Sequence, residues 1–385
     1  GAPGHAELLV GAPQTGIYRV VARTAGGLTG QSNPIFVTPK LPKLLWADLH
    51  GHSQLSDGTQ TPEDYYRYAR DVAGLDVAAL TDHGHGCRPP LALNPDLWRR
   101  IRDATRDHHE PGRFVTVLGY EWTNWLQGHR HVLYFSNDGE ILSSLDPDYE
   151  HPEQLWRALD GTDALTFAHH SAGEPVPTNW EIAPDPVLEP VTEIVSVHGS
   201  SEAADSPGLI RGALRGNFVR DALDRGYRLG FIGSGDSHDG HPGLAGLASP
   251  SSGLAALITE DATRDGVRSA LVARRVYATN GPRILLHALL DEQPMGADVV
   301  APAGGSEQRL VAMVLTERPI SRVDIVRGGA GRPGGSVESI AVTDDRVFLR
   351  VERTLTPLAP GEYLYVRVVQ IDGGAAWSSP FFGTS

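Results

Sequence analysis

The 385-residue chain contains a single cysteine, Cys87. One thiol excludes an internal disulfide and a cysteine-based zinc site, so any bound metal must be held by histidine and carboxylate side chains. A catalytic role for this thiol is not expected. Lysine is almost as rare, because only Lys40 and Lys43 occur and every other basic residue is arginine. We attribute the arginine bias to genome composition rather than to function.

Long apolar runs and excess positive charge are also absent. No window approaches the ~18 apolar residues of a membrane-spanning helix, and the formal net charge is −14. We therefore expect neither a membrane nor a nucleic acid as partner. An anionic small-molecule substrate remains compatible with this charge, because bound divalent cations would reverse the local field. No signal peptide is recognisable, which predicts a cytoplasmic location, and the sequence leaves a homo-oligomeric state open.

Three segments differ in pattern, with predicted boundaries at 1–43, 44–282 and 283–385. The first segment holds short β-type runs between Gly- and Pro-rich turns, at Glu7–Val10, Gly16–Arg23 and Pro34–Val37. A few strands cannot bury a core alone, so we expect them to pack against the third segment. That third segment alternates apolar and polar residues between turns, which predicts a β-sandwich.

The central segment alternates strand-like and helix-like stretches, which predicts an α/β fold with a mainly parallel sheet or barrel. The predicted strands are 44–50, 76–82, 113–121, 130–135, 164–169, 192–198 and 228–234. The predicted helices are Pro62–Asp71, Trp98–Asp107, Pro152–Leu159 and Leu214–Arg225. About seven strands fall short of a standard eightfold barrel.

Histidine is the residue that the central segment has in abundance, with 14 of the 16 histidines between positions 50 and 241. His50 and His52 end an apolar run, and side chains two apart on a strand share a face, so both can bind one ion. Apolar runs end at further potential ligands in Leu80–His83, Gly119–Glu121, Ala168–His170, Val195–His198 and Gly235–His238. The repetition predicts a multinuclear site at one end of a barrel, with Mn, Fe or Zn as the fitting metals.

These motifs resemble the polymerase-and-histidinol-phosphatase (PHP) superfamily of metal-dependent hydrolases in order, spacing and residue type. The resemblance covers roughly residues 44–282 and rests on His50-x-His52, Ser56-Asp57-Gly58, Thr81-Asp82-His83, Glu121, Ala168-His169, His198 and Asp236-x-His238. It implies a distorted (β/α)7 barrel, here with a C-terminal β-sandwich and a few N-terminal strands. Arg264–Gly281 and Tyr365–Pro380 resemble a bacterial subgroup that has a C-terminal β-domain and includes carbaryl-type carbamate hydrolases.

The resemblance further implies two or three divalent ions. The first would be held by His50, His52, Glu121 and Asp236. The second would be held by the bridging Glu121 with His169 and His198, and the third by Asp57, His83 and His238. A hydroxide between the ions would act as the nucleophile, with Glu121 and Asp236 as the catalytic carboxylates.

Two reactions and one non-catalytic role follow as hypotheses. The first is hydrolysis of a phosphoester, either a phosphomonoester or a phosphodiester. The alternative is hydrolysis of a carbamate or carboxyl ester with an aryl leaving group, which would be favoured if Trp122, Trp125 or Trp180 lined the pocket rather than the core. The third is a metal-binding module without activity. The substrate is expected to be a small molecule, either anionic or an aryl ester.

The proton donor to the leaving group is left open by the sequence. His129 and His131 share a strand face, and His131 is taken as the donor of this pair, with a structural role as the alternative. His85 and His241 follow ligand strands and are equally placed. His170 is expected to point away from His169 along the strand.

Several carboxylates and one loop complete the predictions. Asp48 and Asp82 precede ligands and should hydrogen-bond imidazoles or backbone around the site. Glu193 has no assigned role, because it would face away from Val195 only if the strand were bulged. Arg88 and Arg130 are candidate contacts to a substrate oxyanion, with surface ion pairs as the alternative. The loop 171–190 is a candidate lid.

Overall fold

The computed structural model describes residues 11–12, 14–39, 41–86, 89–329 and 335–385. The predicted strand Glu7–Val10 and the residues Cys87 and Arg88 lie outside these ranges. The described chain is a mixed α/β protein with many strands and few helices. None of its helices is both long and apolar enough to cross a lipid bilayer.

The strands up to residue 200 are β1 (Gly16–Tyr18), β2 (Val21–Arg23), β3 (Thr29–Gln31), β4 (Ile35–Val37), β5 (Leu44–Asp48), β6 (Val77–Leu80), β7 (Val115–Trp122), β8 (Arg130–Tyr134), β9 (Leu165–Ala168), β10 (Val191–Ser196) and β11 (Gly199–Ser200). The later strands are β12 (Gly230–Gly233), β13 (Leu254–Ile258), β14 (Val276–Thr279), β15 (Leu285–Leu290), β16 (Gln293–Pro294), β17 (Asp298–Val300), β18 (Gln308–Leu315), β19 (Ile320–Gly329), β20 (Ser336–Ala341), β21 (Phe348–Leu355), β22 (Glu362–Gln370), β23 (Ala375–Ser378) and β24 (Phe381–Thr384). Each of the seven strands predicted in the central segment is present, within a few residues of the predicted bounds.

The helices are α1 (Pro62–Asp71), α2 (Pro95–Asp107), α3 (Pro152–Leu159), α4 (Val219–Asp224) and α5 (Arg264–Val272). Proline at the first helical position starts α1, α2 and α3, where its missing N–H has no partner to lose. Thr61 also caps α1 by accepting a hydrogen bond from the Asp64 N–H. The helix predicted from Leu214 begins later, at Val219, after a turn that contains Gly216 at φ 87°.

The central sheet is mixed rather than mainly parallel. β5, β6 and β7 are parallel, but β8 runs antiparallel to both β7 and β9, and β13 runs antiparallel to β5 and β14. The reversal at β8 arises because the loop 123–129 is too short for the crossover that a parallel neighbour requires. β10 and β12 pair in parallel in a separate sheet. The described strands thus give a mixed α/β fold, and the distorted (β/α)7 barrel that the resemblance implies stays a prediction.

The C-terminal segment packs two layers of strands around an apolar core. β16, β15, β18 and β21 form one sheet, while β19, β20, β22, β23, β24 and β17 belong to the other. That second layer continues the central sheet, because β23 pairs with β14. The N-terminal strands contact this segment as expected, through the rings of Phe36 and Phe348 at 5.8 Å and a hydrogen bond from Arg19 to the Glu317 carbonyl.

Candidate metal centre

The strand ends bring histidines and carboxylates to one edge of the central sheet. His50 and His52 follow β5, and a parallel bridge between Gly51 and Ser237 places them beside Asp236. The Nε2 atoms of His50 and His52 are 3.2 Å apart. Asp236 Oδ1 lies 3.0 Å from His50 Nε2 and 3.3 Å from His52 Nε2. These three buried side chains can converge on one ion.

A second group lies nearer the surface. It consists of His52, Asp57, His83 and His238, whose ligand atoms all lie within 4.8 Å of one another. Asp57 Oδ2 is 3.5 Å from His83 Nε2 and 3.3 Å from His238 Nε2. The structure thus brings together the residues predicted for the third ion and adds His52 to them.

The third group surrounds Glu121, which is almost completely buried. Its Oε1 atom lies 3.2 Å from His169 Nε2 and 2.5 Å from His129 Nδ1. His198 was predicted to join Glu121 and His169, but its Nε2 atom lies 2.9 Å from Asp236 Oδ2 instead. His129 occupies the position beside Glu121, which the sequence did not indicate.

His170 does not point away from His169, contrary to expectation. β9 ends at Ala168, and His170 adopts a φ of 38°, which abolishes the alternation of an extended strand. Its ring centroid is 3.7 Å from that of His169 and 5.1 Å from that of His129. These three histidines can also converge on an ion.

His131 is not placed as a proton donor to a substrate. Its side chain is fully buried below the cavity, with its ring 3.9 Å from that of His50 and 4.6 Å from that of Phe167. Burial lowers the pKa of His131 well below its usual value, so the ring is neutral and its nitrogens can act as ligands. It forms a candidate ligand group with His50, Glu121 and His169.

His85 and His241, the two other candidates for the proton donor to a leaving group, differ in their position relative to the cavity. His85 lines the cavity above the metal groups. His241 lies outside this lining, with its ring 5.3 Å from that of Tyr68 and its Nδ1 atom 3.2 Å from Asp239 Oδ1. His85 is therefore the better candidate for contact with a leaving group.

The cavity has a volume of about 290 Å³, and members of each ligand group line it. Of the three tryptophans considered for its wall, Trp122 and Trp180 are buried in the core, whereas Trp125 lines the mouth with 57% of its surface exposed. Pro175, from the proposed lid loop 171–190, also lines it. A hydrogen bond from Trp180 Nε1 to the Asn217 carbonyl anchors this loop to the segment before α4.

The charges in the cluster compensate one another. Burial raises the pKa of Glu121, but His83, His129 and His169 outweigh it and hold that pKa well below its usual value. Burial lowers the pKa of His50, but the carboxylates of Asp236 and Glu193 outweigh burial and leave that pKa well above normal. Protons therefore occupy part of the cluster, and a bound cation would replace them.

The residues present fit a divalent metal. Both ring nitrogens of His131 and His170, Nδ1 of His169 and Nε2 of His129 are buried without a hydrogen-bond partner among the described residues. Buried polar atoms are rarely left in this state, because each costs free energy. Imidazole mixed with carboxylate, without cysteine, suits Mn, Fe or Zn. The chain thus carries a histidine-rich potential metal site.

The amino-acid sequence is similar to a family model and to proteins of Chlamydia species. A family model described as "Protein of unknown function (DUF3604)" matches residues 76–209 and 242–291. A Chlamydia pneumoniae protein is 28% identical over 399 residues, covering 96% of this chain and 62% of the relative. A Chlamydia muridarum protein is 26% identical over 393 residues with the same two coverages. Both relatives are described as uncharacterized proteins, and the chain spans about three fifths of their length.

Two solved structures also match parts of the chain. One is a two-domain protein from Bacteroides vulgatus containing a predicted PHP-like metal-dependent phosphoesterase, with 16% identity, a TM-score of 0.48 and coverage of 91% of this chain and 100% of that one. The other is Endonuclease Q bound to a 27-mer duplex, with 14% identity, a TM-score of 0.38 and coverage of 60% and 56%. Function must therefore be inferred from the geometry of the site.

Glu193 supports the cluster, although the sequence assigned it no role. The register between β10 and β12 shifts between Glu193 and Val195, so the strand is bulged there. Glu193 Oε2 lies 2.9 Å from His50 Nδ1. With Nδ1 donating to Glu193, Nε2 is the ring nitrogen that faces Asp236 and would act as the metal ligand. Burial raises the pKa of Glu193 to about 7, with His50 opposing the shift. An acidic residue in an apolar strand was the only signal available.

Replacing Glu193 by Gln should weaken metal binding about 10-fold, at the lower end of the usual effect of residues that orient a ligand. Gln can still accept from His50 Nδ1 but no longer offers a charge. Titration calorimetry with Mn²⁺ would measure the change. Glu189→Gln is the matched control, because Glu189 is equally buried and binds Arg130. Equal affinities for wild type and Glu193→Gln would contradict the orienting role.

Asp48 and Asp82 hold backbone and hydroxyl groups rather than imidazoles. Asp48 accepts hydrogen bonds from the N–H groups of Gly235 and Gly243 at 2.8 and 2.7 Å. Asp82 accepts from the Ser53 N–H at 2.7 Å and from the Ser53 hydroxyl. Each carboxylate therefore fixes a loop that carries candidate ligands. Arg130 is buried against Glu189 and does not line the cavity, so it is not a contact to substrate.

Proposed function

We propose that this chain is a metal-dependent hydrolase that cleaves a phosphoester, either a monoester or a diester. The observation that carries the proposal is the convergence of several groups of histidine and carboxylate ligands on the floor of one cavity, with His52, Glu121 and Asp236 lying between the groups. The ligand set proposed from the sequence is retained, with His129, His131 and His170 added as candidates. Two or three divalent ions of Mn, Fe or Zn are the proposed cofactors.

The charges and positions of the protein's own residues are suited to metal-dependent hydrolysis. Bound divalent ions would supply Lewis acidity, activating water and neutralising charge on the substrate. Glu121 and Asp236 keep their negative charge, since their pKa values lie well below normal despite burial. His85, in the cavity wall, is positioned to approach a leaving group.

A phosphoester fits this site best among the ester substrates. A phosphomonoester carries up to two negative charges and a phosphodiester carries one, and two or three adjacent cations can offset either. Within the described residues, the lining is dominated by histidines and carboxylates, and it contains no lysine or arginine to bind an anion in place of metal. Metal would thus supply the positive charge that binds the substrate.

One observation favours the alternative substrate, a carbamate or carboxyl ester with an aryl leaving group. Trp125 stands at the cavity mouth, with its ring centroid 5.0 Å from that of His129. Its loop is fixed, because Asn124 Oδ1 accepts from the N–H groups of Leu126 and Gln127. A fixed and exposed indole can stack on an aryl group.

Trp125→Ala should raise KM for aryl substrates about 3- to 10-fold, the usual worth of an aromatic contact, and leave kcat nearly unchanged. Substrates with alkyl leaving groups should be less affected, since they offer no ring to stack. Steady-state kinetics on a matched aryl and alkyl pair would measure both effects. Leu126→Ala is the control, because Leu126 is exposed next to Trp125 but does not line the cavity. Equal KM changes for aryl and alkyl substrates would refute the stacking role.

The proposed function is tested with Mn-loaded protein and three matched aryl substrates, namely a phosphomonoester, a phosphodiester and an N-methylcarbamate. Turnover confined to a phosphoester would support the first proposal and refute the carbamate alternative. Turnover of the carbamate alone would support the carbamate alternative and refute the phosphoester proposal. Inertness toward all three, with Mn bound, would overturn both.

A further inference from the structure

A buried cluster of charges joins the loop after His198 to the C-terminal segment. Glu202 is completely buried, yet it accepts hydrogen bonds from Arg367, Arg220 and Trp377. The Tyr365 hydroxyl also donates to its Oε1 atom. Arg367, Tyr365 and Trp377 belong to β22 and β23, so three of the four donors to this one carboxylate come from the C-terminal segment.

Arg367 is the centre of this cluster. Its guanidinium contacts three carboxylates, at 3.0 Å from Glu202 Oε2, 2.9 Å from Asp205 Oδ2 and 2.9 Å from Asp324 Oδ2. Its Nε, Nη1 and Nη2 atoms each donate to a different carboxylate, and a lysine ammonium, with a single nitrogen, cannot span all three. Arg367 thereby links the loop 199–206 to β19 of the C-terminal segment.

The same loop is connected to the candidate metal centre by hydrogen bonds. Within the loop, the Glu202 N–H donates to Ser200 Oγ at 3.2 Å. Ser201, which directly precedes Glu202, donates its N–H to the Ile194 carbonyl of β10 at 2.7 Å. The Ser201 hydroxyl accepts from the N–H of Ala172, two residues after His170. The loop therefore contacts both the strand before His198 and the turn that carries His169 and His170.

Stability alone does not account for burying these charges. Desolvating a glutamate and an arginine costs about as much as their attraction returns, and an apolar pair of similar volume would often serve as well. What a buried ionic cluster adds is a defined arrangement of the chain. Here the segment with a defined arrangement is the loop 199–206, which begins directly after His198.

We propose that Arg367 and Glu202 are positioning residues that hold His198 and the His169–His170 turn in place for metal binding. The C-terminal segment would thus be part of the metal site without contributing a ligand. This inference rests on the proposed metal-dependent function.

The test compares three variants of the full chain, Arg367→Lys, Glu202→Gln and Arg327→Lys, by Mn²⁺ titration calorimetry and by kcat and KM. Arg327 is the matched control, because it forms a buried ion pair with Glu362 within the C-terminal segment. We expect Arg367→Lys and Glu202→Gln to weaken Mn²⁺ binding at one site about 10- to 100-fold, as for other residues that orient ligands. Arg327→Lys should lower the unfolding temperature but leave Mn²⁺ affinity at the wild-type value.

The outcomes separate this inference from the proposed function. Wild-type Mn²⁺ affinity in Arg367→Lys, or an equal loss in Arg327→Lys, would overturn the positioning role while the metal centre stands. Failure of the wild type to bind Mn²⁺ would overturn both. If Arg367→Lys does not fold, Tyr365→Phe replaces it in the test, because that change removes one donor to Glu202 and keeps every charge. An Mn²⁺ affinity of Tyr365→Phe equal to that of wild type would refute the inference.

Discussion

Asp236→Asn should reduce hydrolysis at least ~100-fold, since changes to residues that merely orient ligands already cost 10- to 100-fold. One carboxylate oxygen of Asp236 lies between His50 and His52, and the other faces His198. Asparagine keeps the volume but loses the charge and one acceptor. The loss should appear in kcat and in Mn²⁺ affinity together, measured by steady-state kinetics and by metal analysis after dialysis.

The control for this variant is Asp239→Asn. Asp239 is three residues away and binds Ser237 and His241, but it does not line the cavity. Its replacement should leave kcat within about 3-fold of wild type, as for a surface change away from the site. Full activity of Asp236→Asn would contradict the assignment of Asp236 as a ligand.

Mn²⁺ should stabilise the folded protein strongly. A ligand that binds only the folded state adds about 2.7 kcal/mol per site at a free concentration 100 times its Kd. An unfolding entropy of about 2.1 cal/mol/K per residue gives this 385-residue chain a shift of about 1.2 °C per kcal/mol. Each filled site should therefore raise the unfolding temperature by about 3 °C. Calorimetric scans of chelator-treated protein with and without Mn²⁺ would measure the shift.

The stabilisation should also grow with pH. Burial lowers the pKa of His238, but Asp57 and Asp236 outweigh it and raise that pKa to about 9. The stability that this proton gives the metal-free protein is fully present below the unfolded pKa of 6.5 and is lost as pH rises through about 9. Mn²⁺ must displace the proton, so its effect should be larger at pH 8.5 than at pH 6. A pH-independent shift, or no shift, would contradict metal binding by this histidine.

Sequence reasoning located the site because strand ends are readable from local pattern. An apolar run that stops at a histidine or a carboxylate places that residue at the carboxyl end of its strand, and the carboxyl ends of parallel strands such as β5, β6 and β7 share one edge of the sheet. Local pattern paired His50 with His52, whereas the assignment of Glu121 and Asp236 to the same ion came from the resemblance to the PHP superfamily. Local pattern is also why the seven central strands were predicted to within a few residues.

The features that the sequence did not predict depend on local backbone geometry, which the alternation of apolar and polar residues does not encode. His170 lies beside His169 because one residue adopts a positive φ after the strand has ended. Glu193 reaches His50 because of a bulge. The reversal of β8 depends on the length of the loop 123–129, which permits no crossover. Each is a single local departure from regular geometry, and each redirects a side chain or a strand.

The pairing of β14 with β23 limits how the protein can move. Tyr277, Ala278 and Thr279 are in register with Ser378, Trp377 and Ala376, so backbone hydrogen bonds cross the boundary between the central and C-terminal segments. A hinge opening at this boundary would have to break them. Any widening of the cavity would therefore have to come from side chains and loops at its mouth, on a scaffold in which one continuous sheet joins the two segments.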